Sequence, residues 1–480
     1  LDHIPTVGYS SPLLSYISAL RFFKHGREII AEGYRKYPNQ VWKLPTWDGW
    51  FVVANGIERV EEIGKASDKY LSGVIAFASV GFLIFCHQKP YHTNVVRTSV
   101  TRNIATQFKD MHEEMILTFE EMLPPDNHWT GIPIFPAIVN IMSRISARLS
   151  VGYPLCNGRS LRYFPAFLRP LSPSVGLFCK ALFTLTFLDR LAARLLNPAY
   201  SDRKVLAEYL RPLIQQRLNQ ERVHGPDWEG KPNDVLMWLL DEAGRAGLER
   251  TPLDMATRLY FLTFASHPLS TVRTFMCAIY EVITRPEYLQ PLRDEVSAAL
   301  ESGGGTWSKN TISKLYKMDS FFREVQRYYD MQLRRRVLQD FSFSDGTIVP
   351  AGSTLYVNSY GLHHDETLFP SPNTFDGFRF LPQGESGKRG EEELELEERL
   401  KRQPMMSKPT LDYNAFGYGK NACPGRFSAA YQLKTMLAYI ITTYDMKIEE
   451  GEDLATTWVE MDVNPNVHAK VFFKRRFRKE

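Results

Sequence analysis

The sequence predicts a mainly α-helical chain carrying small β-sheets, an α+β fold in one domain spanning residues 1–480. Three observations carry that expectation. Two β-rich hairpin signatures stand far apart, "VWKLPTWDGWFVVANG" near the N-terminus and "RVLQDFSFSDGTIVPAGSTLYV" in the second half. About 280 residues of mostly helical pattern separate them, with apolar residues three or four apart. No linker-like stretch rich in proline, glycine or serine divides the chain.

The first hairpin turns at Asp48-Gly49, a dipeptide that tolerates the positive φ angles of a tight turn. The helical block follows in "QFKDMHEEMILTFEEML", "IVNIMSRISARLS", "KVLAEYLRPLIQQRLN" and "NDVLMWLLDEAG". The second hairpin turns at Asp345-Gly346, and Pro350 with Gly352 breaks its returning strand. Between Leu381 and Leu411 the charged run "GKRGEEELELEERLKRQ" predicts a solvated loop or short surface helix.

With 44% hydrophobic and 13% aromatic residues in 480, the chain has ample material for a core, which excludes disorder and repeat arrays. A formal net charge of +4 is far from the clustered excess of a nucleic-acid binder, so any electrostatic partner meets a local patch. Five cysteines (Cys86, Cys156, Cys179, Cys277, Cys423) are too few and scattered for a disulfide framework, and no CxxC pair offers a zinc site. They read as reduced thiols facing a cytosol. No uninterrupted apolar run reaches about 18 residues, the length that spans a bilayer. The opening "LDHIPTVGYSSPLLSY" has no initiator methionine, which suggests a removed upstream segment, either an anchor or a signal.

"FGYGKNACPGRF", residues 416–427, holds one thiol among three glycines and a proline. A metal-ligating thiolate needs close backbone approach and amides pointing at sulfur, and glycines permit both. The bland alternative is an ordinary buried cysteine in a glycine-rich turn.

With Phe416, Gly419, Cys423 and Gly425 in place, the loop resembles the haem-binding signature of the cytochromes P450, the haem-thiolate monooxygenases, and "CPGRF" is similar to fungal members. Two further segments match in the family's order: "SFFREVQRYY", with Glu324 and Arg327 on one helical face, and the aromatic-flanked "TFDGFRF", with Arg379. The resemblance covers nearly the whole chain. It implies a triangular helical domain with haem b between a long central helix and the cysteine-loop helix. Cys423 is then the axial metal ligand, with Phe416, Gly417 and Gly419 lining the cofactor. Glu324, Arg327 and Arg379 form a structural cluster that fixes the loop. Arg335 and Arg97 match propionate-binding arginines, with His92 near the latter. Two departures stand out: the family's tryptophan four residues before that arginine is Thr93, and the basic residue two before the cysteine is Asn421.

The family's oxygen-activating helix carries an acid or amide before a threonine, which together relay protons. Here the segment is "YFLTFASHPLSTVRTFMC". Counted back from "RPEY" without a gap, Ser270 takes the threonine position, Thr271 is the adjacent hydroxyl, and Leu269 replaces the acid. A one-residue shift puts His267 at the acid position instead. Pro268 predicts an exaggerated helix bend. Proton delivery then falls to water or to His267, whose bland reading is a capped core histidine.

Phe77, Phe82, Phe85, Ser266, Leu269, Met331, Leu333, Met461 and Val463 are the candidate pocket residues and imply an apolar site. The lipophilic run "FLRPLSPSVGLFCKALFTLTFLDRLAARLL" matches the part of membrane-bound relatives that lines the access channel and touches the bilayer. The resemblance implies a monomer on the cytosolic face of the endoplasmic reticulum. Its electrons come from NADPH through a separate reductase, with cytochrome b5 as a possible second donor, and Lys420, Arg426, Lys434 and Arg102 are the candidate docking cations. The leading function is monooxygenation of a lipophilic fungal metabolite: a terpenoid, steroid, polyketide or prenylated indole. A haem-thiolate catalyst of peroxide-driven oxidation, rearrangement or ring formation is the alternative, favoured by Pro268 and Leu269. A non-catalytic haem or ligand binder is the third reading.

Overall fold

The computed structural model describes residues 1–480 apart from Pro12, Asp48, 79–88, 153–198, 330–332, 383–397, 399–404, Asp453 and 477–480, and apart from the side chains of Val74, Phe77, Ala78, 199–201 and 264–269. Strands β1 (Val41–Thr46), β2 (Gly49–Ala54), β3 (Leu71–Ser72) and β4 (Thr130–Pro133) lie in the first third. Strands β5 (Leu333–Val337), β6 (Phe341–Ser342), β7 (Ile348–Val349) and β8 (Thr354–Val357) follow the helical block. The chain closes with β9 (Tyr444–Lys447), β10 (Thr457–Val459), β11 (Asp462–Asn464) and β12 (Lys470–Arg475).

The first hairpin forms as expected, but its turn is one residue earlier. Pairing closes at Thr46 opposite Gly49, so Gly49, at φ 135°, opens β2 rather than completing the turn. The second hairpin divides. Asp345-Gly346 closes only the small β6–β7 ladder, with Gly346 at φ 85°. Pro350 and Gly352 end it, and β8 then runs antiparallel to β5 and parallel to β2. The two distant hairpins therefore share one sheet, ordered β1-β2-β8-β5-β3. That sheet places Arg335 of β5 against the cysteine loop.

Among the described residues, helices Thr101–Met122, Ile134–Val151, His267–Thr284, Leu289–Ser302, Tyr316–Tyr328 and Arg426–Thr443 supply most of the main core. Phe119, Ile141, Phe275, Phe322 and Leu437 meet there with almost no exposed surface. Burying each such side chain contributes roughly 1.5–3 kcal/mol relative to leaving it in water. Helix Ile134–Val151 is apolar and long enough to cross a membrane, but 72% of it is buried inside the fold, as befits a core helix. "KPNDVLMWLLDEA" begins its helix at Asp234, whose carboxylate accepts the Met237 amide at 2.8 Å and pairs with Arg217 through two 2.6 Å bonds.

Directly before the central helix the backbone winds as a π-helix over Phe261–Ser266, and α geometry resumes at His267. Pro268 is thus the second residue of a new α segment, where its missing N–H matters least. The interruption expected at Pro268 is a π-helical distortion just upstream of it.

One expected surface cation is buried instead. Lys434 points inward, its ammonium 3.2 Å from Asp319 Oδ1, both side chains under 5% exposed. The other oxygen of Asp319 accepts the Met406 amide at 2.7 Å, so the pair ties the helices to the segment before the cysteine loop. Asp319→Ala strands a buried ammonium and should lower unfolding free energy by ~3–5 kcal/mol. Chemical denaturation checks this, and Asp319→Ala/Lys434→Met should recover most of the loss.

Candidate active site

The cysteine loop owes its path to two left-handed glycines, Gly417 at φ 80° and Gly419 at φ 67°. A Cβ on Gly419 would lie 2.5 Å from the Gly64 carbonyl, and one on Gly64 would lie 2.6 Å from the Tyr418 ring. Helix Ile57–Lys65 can abut the loop only because both positions lack side chains. The Cys423 amide donates to the Phe416 carbonyl at 2.6 Å, closing the loop on itself. Cys423 is accessible, yet it lies deep within the protein mass, so its sulfur faces an interior cleft. Burial pushes its thiol up, while the Gly425 and Arg426 amides and the Arg426 charge favour the thiolate.

Two arginines converge on adjacent carbonyls of this loop. Arg97 Nη2 donates to Lys420 O at 3.2 Å, and Arg335 Nη2 to Asn421 O at 3.4 Å. Two buried donors there, Arg335 Nε and Asn421 Nδ2, have no partner among the described residues, and neither does the buried His92 Nε2. Burial pushes the Arg335 pKa down from its ordinary value, with Asp68 only partly opposing it. A set of desolvated, unpaired donors calls for an anion.

The structural cluster stands behind the loop. Glu324 accepts from Arg327 Nε at 2.7 Å and Nη2 at 2.8 Å, from Arg379 Nε at 3.1 and 3.2 Å, and from the Asp376 amide at 3.0 Å. Arg327 Nη1 donates to His363 O at 2.6 Å, and His363 Nε2 accepts the Asn414 amide at 3.2 Å. Asn414 O in turn receives the Gly417 amide at 2.7 Å. His363, in "GLHHDETLFP", is a bridging residue that the sequence does not single out. No local signal marks which of its two histidines bridges a cluster and a loop.

On the central helix, Thr271 is buried and Ser270 half-buried, with the Ser270 carbonyl accepting Thr274 Oγ1 at 3.0 Å. Side-chain positions of Ser266, His267, Leu269 and Phe77, and all of Phe82, Phe85, Met331 and the lipophilic run, lie outside the described residues. Leu333 is half-buried on β5 beside Arg335, and Val463 is buried on the β10–β11 hairpin. Met461 instead packs among Phe22, Trp42, Tyr356 and Tyr360 beneath the sheet, a core role in place of a pocket role. Of the expected docking cations, Lys420 and Arg102 are exposed. Arg426 is engaged by the Ser407 and Cys423 carbonyls.

The cytochrome P450 family model matches residues 9–468. The chain belongs to that family. It is 33% identical to cytochrome P450 monooxygenase 151 of Postia placenta, over 99% of this chain and 94% of that one. It is 30% identical to cytochrome P450 monooxygenase CYP512U6 of Ganoderma lucidum, over 93% and 86%. Among solved structures, retinoic acid-bound cyanobacterial CYP120A1 superposes with a TM-score of 0.70 at 16% identity, covering 98% of this chain and 99% of that one, which confirms the P450 fold. Family and fold make the protein a haem-thiolate oxidoreductase that draws electrons from a redox partner. The residues present fit the cofactor: an accessible cysteine in an interior cleft, glycine-narrowed walls, and desolvated cationic and neutral donors able to take two propionates.

Two outcomes follow. Cys423→Ser should abolish the red-shifted ferrous-carbonyl Soret band of thiolate ligation while leaving the far-ultraviolet circular dichroism spectrum intact. Glu324→Ala leaves Arg327 buried without its counter-charge, so stability should fall by ~3–5 kcal/mol. Haem per polypeptide should fall with it, whereas normal haem content with only a slower turnover would contradict a structural role.

Proposed function

We propose that this protein is a monomeric, single-domain monooxygenase on the cytosolic face of the endoplasmic reticulum. It converts a C–H bond of a lipophilic secondary metabolite to C–OH. The second oxygen atom leaves as water, with two electrons supplied by NADPH through its P450 reductase. Cys423, Arg335, Arg97 and Asn421 hold the haem, which when bound supplies the activation of dioxygen. The observation that carries the reading is the convergence of unpaired buried donors on the loop that presents an accessible Cys423.

The chain's own residues then have distinct tasks. Ser270 and the buried Thr271 supply hydroxyls just after the π-helical distortion. Without an acid at Leu269, protons reach that point through water or His267. Leu333 and Val463 furnish apolar wall, in keeping with a terpenoid, steroid-like, polyketide or prenylated-indole skeleton. Lys420 and Arg102 present positive charge to an acidic flavoprotein.

A membrane surface suits the N-terminal helix Leu14–Lys24. Leu13, Leu14, Ile17 and Leu20 recur at helical spacing and are 44–84% exposed, with Arg21 and Lys24 beside them, while Ala19 and Phe22 face the core. A second reading, relay-independent chemistry such as peroxide-driven oxidation or rearrangement, is favoured by Pro268 and Leu269.

Ser270→Ala should leave haem content and substrate binding unchanged but lower product formed per NADPH consumed by roughly tenfold or more, with hydrogen peroxide rising in parallel. Thr271→Ala should matter less. Full coupling in the Ser270, Thr271 and His267 alanine variants, or turnover without oxygen, would establish the relay-independent reading.

A further inference from the structure

His92 occupies an unusual setting. It is 1% exposed, and its ring meets Phe261 edge-on at a centroid distance of 5.1 Å, at the start of the π-helical stretch. Its Nδ1 lies 3.0 Å from Arg258 Nη1. Arginine can only donate, so Nδ1 must be the acceptor and the ring proton must sit on Nε2. That Nε2–H has no partner among the described residues, although it is buried.

Arg258 is held from several directions. Its Nε donates to Asp254 Oδ2 at 3.0 Å, its Nη1 also reaches Lys89 O at 2.9 Å, and its guanidinium stacks 3.7 Å from the Tyr91 ring centroid. Tyr91 donates its hydroxyl to the same Asp254 oxygen at 2.6 Å. Burial first, then the Arg258 charge, pushes the His92 pKa down to about 3, with Asp254 opposing, so the ring stays neutral.

The geometry points to Arg258 as a positioning residue that locks His92 in its Nε2–H tautomer, so that His92 donates a neutral hydrogen bond to a haem propionate beside Arg97. The assignment rests on the haem site described above. It gives a role to the histidine next to Thr93, the position at which the resemblance expects a tryptophan. An indole N–H can only donate, whereas an imidazole must be told which nitrogen carries the proton. Arg258, on helix Pro252–Tyr260, supplies that instruction from a distant part of the chain.

The test is a double-mutant cycle on the holoenzyme, read by haem transfer to excess apomyoglobin and by the ferric/ferrous midpoint potential. His92→Phe should speed haem loss roughly ten- to a hundredfold, the loss expected for one hydrogen bond to a charged group. Arg258→Met should do nearly the same, and the double variant no more than His92→Phe alone. In a His92→Gln background, whose amide donor needs no tautomer, Arg258→Met should have little effect on either readout. Tyr91→Phe, which leaves the Arg258–His92 contact in place, is the control and should be silent. Additive effects of the two changes, or an unchanged off-rate and potential in His92→Phe, would overturn the proposal. An equal penalty from Arg258→Met in the His92→Gln background would do the same, making Arg258 a packing residue only. The thiolate Soret band of the ferrous-carbonyl complex is recorded for every protein: its absence from the parent would refute the haem site itself, separately from the role of His92.

Discussion

Glu324 has no exposed surface, and neither does Arg327. A carboxylate removed from water in this way is tolerable only if its lone pairs are filled, and here two guanidinium groups and the Asp376 amide fill them. The cluster fixes more than its own members. Arg327 reaches His363, His363 receives the Asn414 amide, and Asn414 receives that of Gly417. A buried charge with no alternative partner thereby becomes a fixed point from which the cysteine loop is suspended. Arg323 reinforces it, its guanidinium sandwiched 4.2 Å from the Phe380 ring and 4.4 Å from that of Tyr413.

The loop is braced from its other side by an absence of side chains. Gly64 and Gly419 bring helix Ile57–Lys65 to backbone contact with the residues just before Cys423. Arg97 and Arg335 then bond the carbonyls of Lys420 and Asn421, which sets them at one edge of the cleft. The Arg335 Nη2 that braces the loop leaves Nε of the same guanidinium without a partner among the described residues. A rigid loop holds an arginine on a strand and another on a helix in fixed relative positions.

Lys434 shows how an identical residue type can serve opposite ends. From its spacing to the cysteine it reads as part of a basic docking face, like Lys420. Helix Arg426–Thr443 is buried on most sides, however, so Lys434 faces the core and needs Asp319 as counter-ion. Position along a helix predicts a face only where one side of that helix meets solvent. Met461 differs from its sequence expectation for a related reason: an apolar residue in a short hairpin suits a pocket wall or a core equally, and here it packs with Phe22 and Trp42.

The sequence alone determined what is local. The glycine spacing around Cys423, the i,i+3 pair of Glu324 and Arg327, and the alternation flanking two Asp-Gly steps each act within a few residues, so their physics is readable in order. Family, cofactor and ligand followed from them. Tertiary structure decided everything that needs two distant segments to meet. The parallel pairing of β2 with β8 has no turn to announce it. The π-helical winding at Phe261–Ser266 places the distortion upstream of Pro268 rather than at it. The contact of Arg258 with His92 spans 166 positions, and only there does an unremarkable histidine acquire a fixed tautomer and a donor without a partner. Hydrogen bonding is directional and short in range, so its partners are chosen by the fold, whereas helix, turn and loop propensities are chosen by neighbours along the chain.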